Sequence, residues 1–127
     1  MSHSQQHAER WLQLVSQQPL PGGETFASHV TAGKITSLCN CGCHGFEFSI
    51  PDGVDLPPLA NGSGLYCELA FQSNATEEID ILLFTDARGY FSGADVTLGQ
   101  TNQRPIPDDV VATTLIGIWP SDNSARA

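Results

Sequence analysis

The stretch Leu65-Tyr-Cys-Glu-Leu-Ala-Phe-Gln72 decides the fold class, because apolar and polar side chains alternate along most of it. A second alternating run follows at Ile79-Asp-Ile-Leu-Leu-Phe84. Alternation with a period of two is typical of half-buried β-strands. Asp86-Ala-Arg-Gly89 then predicts a hairpin turn, and residues 90–98 predict the strand that returns from it. Gly93 within that strand indicates a bulge.

Working toward the N-terminus, two more alternating segments predict the start of the sheet. In the first segment, which starts at Lys34, the apolar position Ile35 has an odd residue number. In the second segment the apolar positions Phe46 and Phe48 have even residue numbers. A slip of one residue moves every side chain to the opposite face, so the change of parity must be absorbed by a bulge or turn. We place it near Gly42–Gly45. The inner face is then predicted to hold Ile35, Cys39, Cys41, Cys43, Phe46, Phe48, Leu65, Cys67, Leu69, Phe71, Ile79, Ile81 and Leu83.

The ends of the chain predict helices. Ala8, Trp11, Leu12 and Val15 recur at helical spacing, and Pro19-Leu-Pro-Gly-Gly23 ends that helix. The sequence also allows a short second helix around residues 24–30. Near the C-terminus, Pro107-Asp-Asp favours a helix cap while the β-branched residues 110–116 favour a strand. There we expect a helix.

These elements predict an α+β domain, with the N-terminal helix packed on a mostly antiparallel sheet of about five strands. A chain of 127 residues is typical of a single domain, here 1–127, with frayed ends near 1–5 and 121–127. Nothing near the start resembles a secretory signal, and no apolar run is long enough to span a bilayer. We therefore expect a cytoplasmic protein.

The net charge narrows the function classes. Five Lys and Arg against fourteen Asp and Glu give a charge of −9. Nucleic-acid affinity comes mainly from cations that neutralise phosphates, and anionic membranes attract basic segments. The sequence therefore predicts neither a nucleic-acid partner nor a membrane partner.

The segment Cys39-Asn-Cys-Gly-Cys-His44 carries most of the metal-ligating chemistry. Thiolate and imidazole are ligands that zinc prefers, so Cys39, Cys41, Cys43 and His44 are candidate ligands, with Cys67 as a further one. Residues two apart on a straight strand, however, lie about 6.6 Å apart, whereas two sulfurs on one zinc are separated by only about 3.8 Å. Three roles of these cysteines therefore remain as alternatives: buried structural thiols, a zinc site, and disulfide or redox chemistry.

The segment Leu38-Cys-Asn-Cys-Gly-Cys43, with its upstream Pro-Leu-Pro-Gly turn, resembles a group of small bacterial proteins of unknown function. Those proteins carry a C-x-C-G-C segment that leads into an alternating strand. Residues 81–93 resemble their hairpin, and Pro105 and Pro107 their late proline-rich stretch. The resemblance implies no activity. It does imply that the cysteine segment belongs to the fold.

A set of acidic and aromatic residues has the parity opposite to the apolar set. Its members are Glu47, Tyr66, Glu68, Asp80 and Phe84. Such a surface can steer and bind a basic protein partner. No G-x-S-x-G, H-E-x-x-H or phosphate-binding glycine loop accompanies it.

We therefore expect a non-catalytic acidic binding or accessory protein without a cofactor. The alternatives are a small zinc-binding protein, a thiol-dependent enzyme with Cys43 as nucleophile and His29 as base, and a redox sensor.

Overall fold

The computed structural model describes residues 5–38, 44–99, 106–107 and 109–122. Within them, two helices precede six strands. The elements are α1 (Gln5–Ser16), α2 (Gly23–Ala32), β1 (Lys34–Leu38), β2 (Phe46–Ser49), β3 (Gly64–Ser73), β4 (Ile79–Thr85), β5 (Phe91–Leu98) and β6 (Ala112–Pro120). The α+β class and the antiparallel sheet are confirmed.

The six strands form one sheet in the order β1-β2-β5-β4-β3-β6, and every neighbouring pair is antiparallel. The central strands β5, β4 and β3 follow one another in the chain and are joined by short connections. The predicted alternation of β4 is confirmed, since Ile79, Ile81 and Leu83 are completely buried. Both helices contribute buried side chains to the same core as these residues. The core therefore lies between the helices and one face of the sheet.

The sixth strand corrects the expectation of a C-terminal helix and of about five strands. Residues 112–120 form β6, which pairs with β3 from Cys67 to Ser73. Its β-branched residues suit a strand, and its pairing satisfies the backbone groups that the edge of β3 would otherwise present to water. The Pro107-Asp-Asp sequence therefore starts no helix among the described residues.

The change of parity before β2 also lies elsewhere than expected. Ile35 is opposite Phe48 and Ser37 is opposite Glu47, so Thr36 is an extra residue in β1. After this bulge the even residue Leu38 shares the inner face with Phe46. Cys39, Cys41 and Cys43 were predicted on the inner face because they share odd numbers with Ile35. The bulge at Thr36 removes that argument. The three cysteines themselves lie outside the described residues.

The hairpin between β4 and β5 has the predicted turn. The N–H of Gly89 donates to the carbonyl of Asp86 at 2.8 Å, and Gly89 has the positive φ of 79° that such a turn requires. Phe84 is opposite Gly93 and Thr85 is opposite Phe91, so Ser92 is the extra residue of a bulge. The bulge predicted from Gly93 is confirmed.

The long connection between β2 and β3 is held by side chains of α2 and of Tyr90, the residue before β5. The hydroxyl of Tyr90 accepts from the N–H of Leu56 at 2.9 Å and donates to the carbonyl of Val54 at 3.1 Å. From α2, the completely buried His29 places Nε2 2.7 Å from the Pro57 carbonyl. This connection therefore needs no regular structure of its own to stay packed.

The two ring nitrogens of His29 have fixed roles. Nδ1 accepts the N–H of Phe91 at 3.1 Å, so the ring proton lies on Nε2, which donates to Pro57. Burial lowers the pKa of His29 below its ordinary value of 6.5, and it outweighs the opposing hydrogen bond to Pro57. His29 is therefore a neutral structural link between α2, the connection and β5.

We expect Gly93→Ala to destabilise the protein by more than about 1 kcal/mol. Gly93 has a φ of 152°, and a Cβ there would lie 2.6 Å from the Phe46 carbonyl oxygen in β2. The matched control is Gly53→Ala, where φ is 88° but no atom lies within 4 Å of the new Cβ. Urea unfolding should show the larger loss for Gly93→Ala. Equal losses would contradict the close approach of β5 and β2.

The pH dependence of stability should report on His29. Because its pKa is lowered in the folded protein, the unfolded chain binds the proton first. The stabilisation that comes from keeping His29 neutral is complete above about pH 6.5. It is lost as the pH falls toward the lowered pKa of His29 in the folded protein, by at most about 1.4 kcal/mol per pH unit. Urea midpoints between pH 7.5 and 5.5 should therefore fall less steeply in His29→Gln than in the unaltered protein. An unchanged slope in His29→Gln would refute this origin.

Candidate functional site

The sheet has a second face that none of the described helices covers. Residues that alternate with the buried set lie on it, and we call this surface the open face. Its charged and large apolar members are Lys34, Glu47, Leu65, Glu68, Asp80, Leu82, Phe84, Asp95 and Trp119. Most are half-buried by their neighbours, whereas Glu47 is exposed and Trp119 is 50 % exposed.

Strand register places these residues side by side. Trp119 is opposite Glu68, Glu68 is opposite Leu82, and Leu82 is opposite Asp95, which makes one row across four strands. Directly opposed residues on an antiparallel pair have Cβ atoms about 5 Å apart. Carboxylates and apolar side chains therefore alternate across the sheet at contact distance.

Two further rows flank the first. Phe84 is opposite Gly93, which in turn is opposite Glu47, so no side chain separates the Phe84 ring from that carboxylate position. On the other side, Asp80 is opposite Thr97. The open face is thus an apolar strip bordered by acids.

The indole of Trp119 lies over a glycine. A Cβ built on Gly117 would lie 2.9 Å from two carbon atoms of the Trp119 ring. The absence of a side chain at Gly117 therefore lets the ring lie close to the strand. This arrangement presents one face of a large aromatic ring beside Glu68.

The carboxylates of the open face have no cationic partners among the described residues. The ion pairs seen within the described ranges are those of Arg88 with Asp52 and Asp86, which lie on the β2–β3 connection and the β4–β5 turn and not on the open face. Burial raises the pKa of Asp80, and the neighbouring carboxylates of Glu78 and Glu68 raise it further. Lys34, at the β1 edge of the same face, forms no ion pair with them, so on this surface four carboxylates face one cation among the described residues.

Tyr66 does not belong to the open face, which corrects its predicted role in partner binding. Leu65 is opposite Phe84 and Cys67 is opposite Leu83, so Tyr66 is the extra residue of a bulge in β3. Its side chain is completely buried, and its hydroxyl donates to the carbonyl of Pro21. The other predicted contact residues, Glu47, Glu68, Asp80 and Phe84, lie on the open face together.

The contact residues predicted from the sequence did not include Trp119 or Asp95, which both lie on the open face. Trp119 was hidden because the C-terminal segment was expected to be helical. Asp95 follows the bulge at Ser92, which changes which residues of β5 share a face. The signal for Asp95 was available, since Gly93 marked that bulge.

Among the proposed zinc ligands, His44 has its Nδ1 occupied. The indole N–H of Trp11 donates to His44 Nδ1 at 3.0 Å, and the ring of His7 stacks on His44 with centroids 4.8 Å apart. Because Trp is a donor only, Nδ1 carries no proton and the neutral ring has its proton on Nε2. A metal-binding imidazole needs one nitrogen without a proton for the ion. In this geometry His44 therefore offers no nitrogen to zinc.

Cys67 lies too far across the sheet to share an ion with His44. Its position is level with Leu83, Ala94 and Phe46 on successive strands, which puts it three strand spacings, roughly 14 Å, from β2. Burial raises the pKa of its thiol to about 12, so the thiol is protonated at neutral pH. Both features are those of a buried structural cysteine.

No three His, Cys, Asp or Glu side chains within the described ranges are placed to hold a metal ion. Cys39, Cys41 and Cys43 lie outside those ranges, so the predicted zinc role of these three residues stays a prediction. The alternative of His29 as a base for Cys43 meets a different obstacle, because both ring nitrogens of His29 already bond to the backbone.

Comparisons with known proteins give no relative. No protein-family model, curated protein or solved structure matches the chain. The resemblance of the cysteine segment to small bacterial proteins stays a prediction. In the described part of the chain, no helix combines the length and apolar character that crossing a membrane requires.

Cys67 should resist alkylation in the folded protein. Its burial and raised pKa leave almost no thiolate at neutral pH, and the thiolate is the reactive form. We expect peptide mapping by mass spectrometry after brief iodoacetamide treatment to find Cys67 unmodified, and fully modified in urea. Equal modification in the two conditions would show that β3 does not bury this thiol.

Proposed function

We propose that this protein is a non-catalytic binding or accessory protein whose open face contacts a basic protein partner. The observation that carries the proposal is the row Trp119–Glu68–Leu82–Asp95, in which carboxylates without cationic partners alternate with apolar side chains. Both helices pack on the opposite face, so the described elements leave this surface open to a partner.

The apolar members of the open face supply the contact energy. Half-buried Leu82 and Phe84 form a flat strip, and Trp119 adds a large ring that is 50 % exposed. Aromatic residues are enriched among the side chains that dominate binding energy at protein interfaces. Removing water from this strip favours a partner that brings apolar surface of its own.

The carboxylates select the charge of that partner. An arginine or lysine approaching Glu68 also lies near the exposed Trp119 ring, so that a single cation can contact both a carboxylate and an aromatic face. Asp80 and Asp95 extend the negative potential along the sheet and would speed association with a basic surface. The partner we propose is a protein segment in which basic and apolar residues alternate.

The same charge argues against other partner classes. A net charge of −9 repels phosphate backbones and anionic lipid headgroups. We therefore propose neither a nucleic-acid partner nor a membrane partner. The cytoplasmic location expected from the sequence stays a proposal. Zinc binding and thiol chemistry are less well supported, because the described candidate residues His44 and Cys67 fit neither role.

The proposal can be tested with a fluorescein-labelled peptide of alternating arginine and leucine residues, by anisotropy at increasing salt. We expect Glu68→Gln combined with Asp80→Asn to weaken peptide binding roughly tenfold at low salt, because two carboxylates that attract arginine are lost. At high salt the difference should shrink, because salt screens the attraction between these charges. Trp119→Ala should weaken binding at every salt concentration, because its contribution is largely apolar.

A matched control separates the open face from net charge. Glu9→Gln combined with Asp55→Asn removes the same charge from exposed positions on α1 and the β2–β3 connection. This pair should leave peptide binding nearly unchanged. The proposal would be overturned if the two pairs of substitutions weakened peptide binding equally. It would also be overturned if Trp119→Ala left peptide binding at high salt unchanged.

A further inference from the structure

A cavity of about 150 Å³ lies between α1 and the segment that enters β6, away from the open face. Its walls include Trp11 and Leu14 from α1, Val110 and Ala112 from the β6 side, and His44. An apolar cavity of this volume is large enough for a molecule of the size of benzene. The cavity therefore accommodates a single ring or a short aliphatic chain.

Two residues of the cavity wall are held in place by a hydrogen bond to each other. Trp11 donates to Nδ1 of the buried His44, and the backbone N–H of His44 donates to the Val96 carbonyl of β5 at 2.9 Å. The indole and imidazole rings therefore keep fixed positions before any ligand arrives. A preformed site of this kind lowers the entropic cost of binding.

Arg10 supplies a positive charge to the lining of the cavity. It lies one residue before Trp11, is exposed, and lines the same cavity. Arg88, by contrast, bonds to Asp86 through two nitrogens, at 2.8 and 3.2 Å. Arg10 has no such carboxylate among the described residues, although the chain carries fourteen Asp and Glu. Its guanidinium is therefore available to an external anion.

We infer that this cavity binds a small apolar monocarboxylate, with the ring or alkyl group between Trp11, Leu14 and Val110 and the carboxylate on Arg10. An arginine binds a carboxylate through two parallel hydrogen bonds, which gives both charge and orientation. One arginine and a cavity of this volume fit one carboxylate on a small apolar body. This inference does not depend on the function proposed for the open face.

Benzoate is the probe, with benzamide as its neutral counterpart of the same shape. The indole N–H resonances of Trp11 and Trp119 can be followed by nitrogen-15 NMR and assigned with Trp119→Phe. We expect benzoate to shift the Trp11 resonance in a saturable manner and to leave Trp119 in place. Benzamide should bind at least about tenfold more weakly, since it cannot form the charged pair.

Two kinds of variant test the two parts of the site. Arg10→Gln, at an exposed position, should weaken benzoate roughly tenfold and leave benzamide unchanged. Ala112→Leu and Val110→Phe, made as separate variants, fill the cavity and should abolish the binding of benzoate and of benzamide. Dispersed NMR spectra would show that each variant is folded. No saturable shift of Trp11 with benzoate, equal affinity for benzoate and benzamide, or retained binding in both filled and folded variants would overturn the inference.

Discussion

The burial of one face of the sheet under two helices is the constraint on which the other features depend. Ile81 and Leu83 of β4 are completely buried, as are Leu69 of β3 and Val96 of β5. Because side chains alternate along a strand, fixing these residues in the core fixes their neighbours on the opposite face. The carboxylates and the Phe84 ring therefore reach the open face as a consequence of core packing.

Alternation made much of this predictable, and bulges limited it. The strands β3 and β4, most of their inner residues, and the turn at Asp86 follow from sequence patterns that the structure confirms. Leu65 is an exception, because it was predicted on the inner face and lies opposite Phe84 on the open face. Gly93 also marks its bulge, because a residue with a side chain would meet β2 there. The bulges at Thr36 and Tyr66 carry no glycine, so no local residue type announces the change of face. Tyr66 consequently turned out to be buried.

The C-terminal strand shows a different limit of local patterns. Its residues favour a strand by intrinsic preference, while the preceding Pro-Asp-Asp favours a helix start. Pairing with the whole length of Cys67–Ser73 decides between them, and the paired residues lie 39 to 53 positions apart in the chain. Trp119 joins the candidate site only through this long-range contact. The acidic members of the site could be predicted because they belong to strands with clear alternation.

The cysteine and histidine segment shows how one long-range hydrogen bond changes the chemistry of a motif. In sequence, His44 follows three closely spaced cysteines and has the composition of a zinc ligand. In the fold, Trp11 of α1, 33 positions away, occupies Nδ1, and the proton on Nε2 makes the ring a donor. A ring so arranged suits the wall of a small cavity better than a metal centre. The same hydrogen bond links α1 to the segment before β2, so the helix that covers the sheet also determines what His44 can bind.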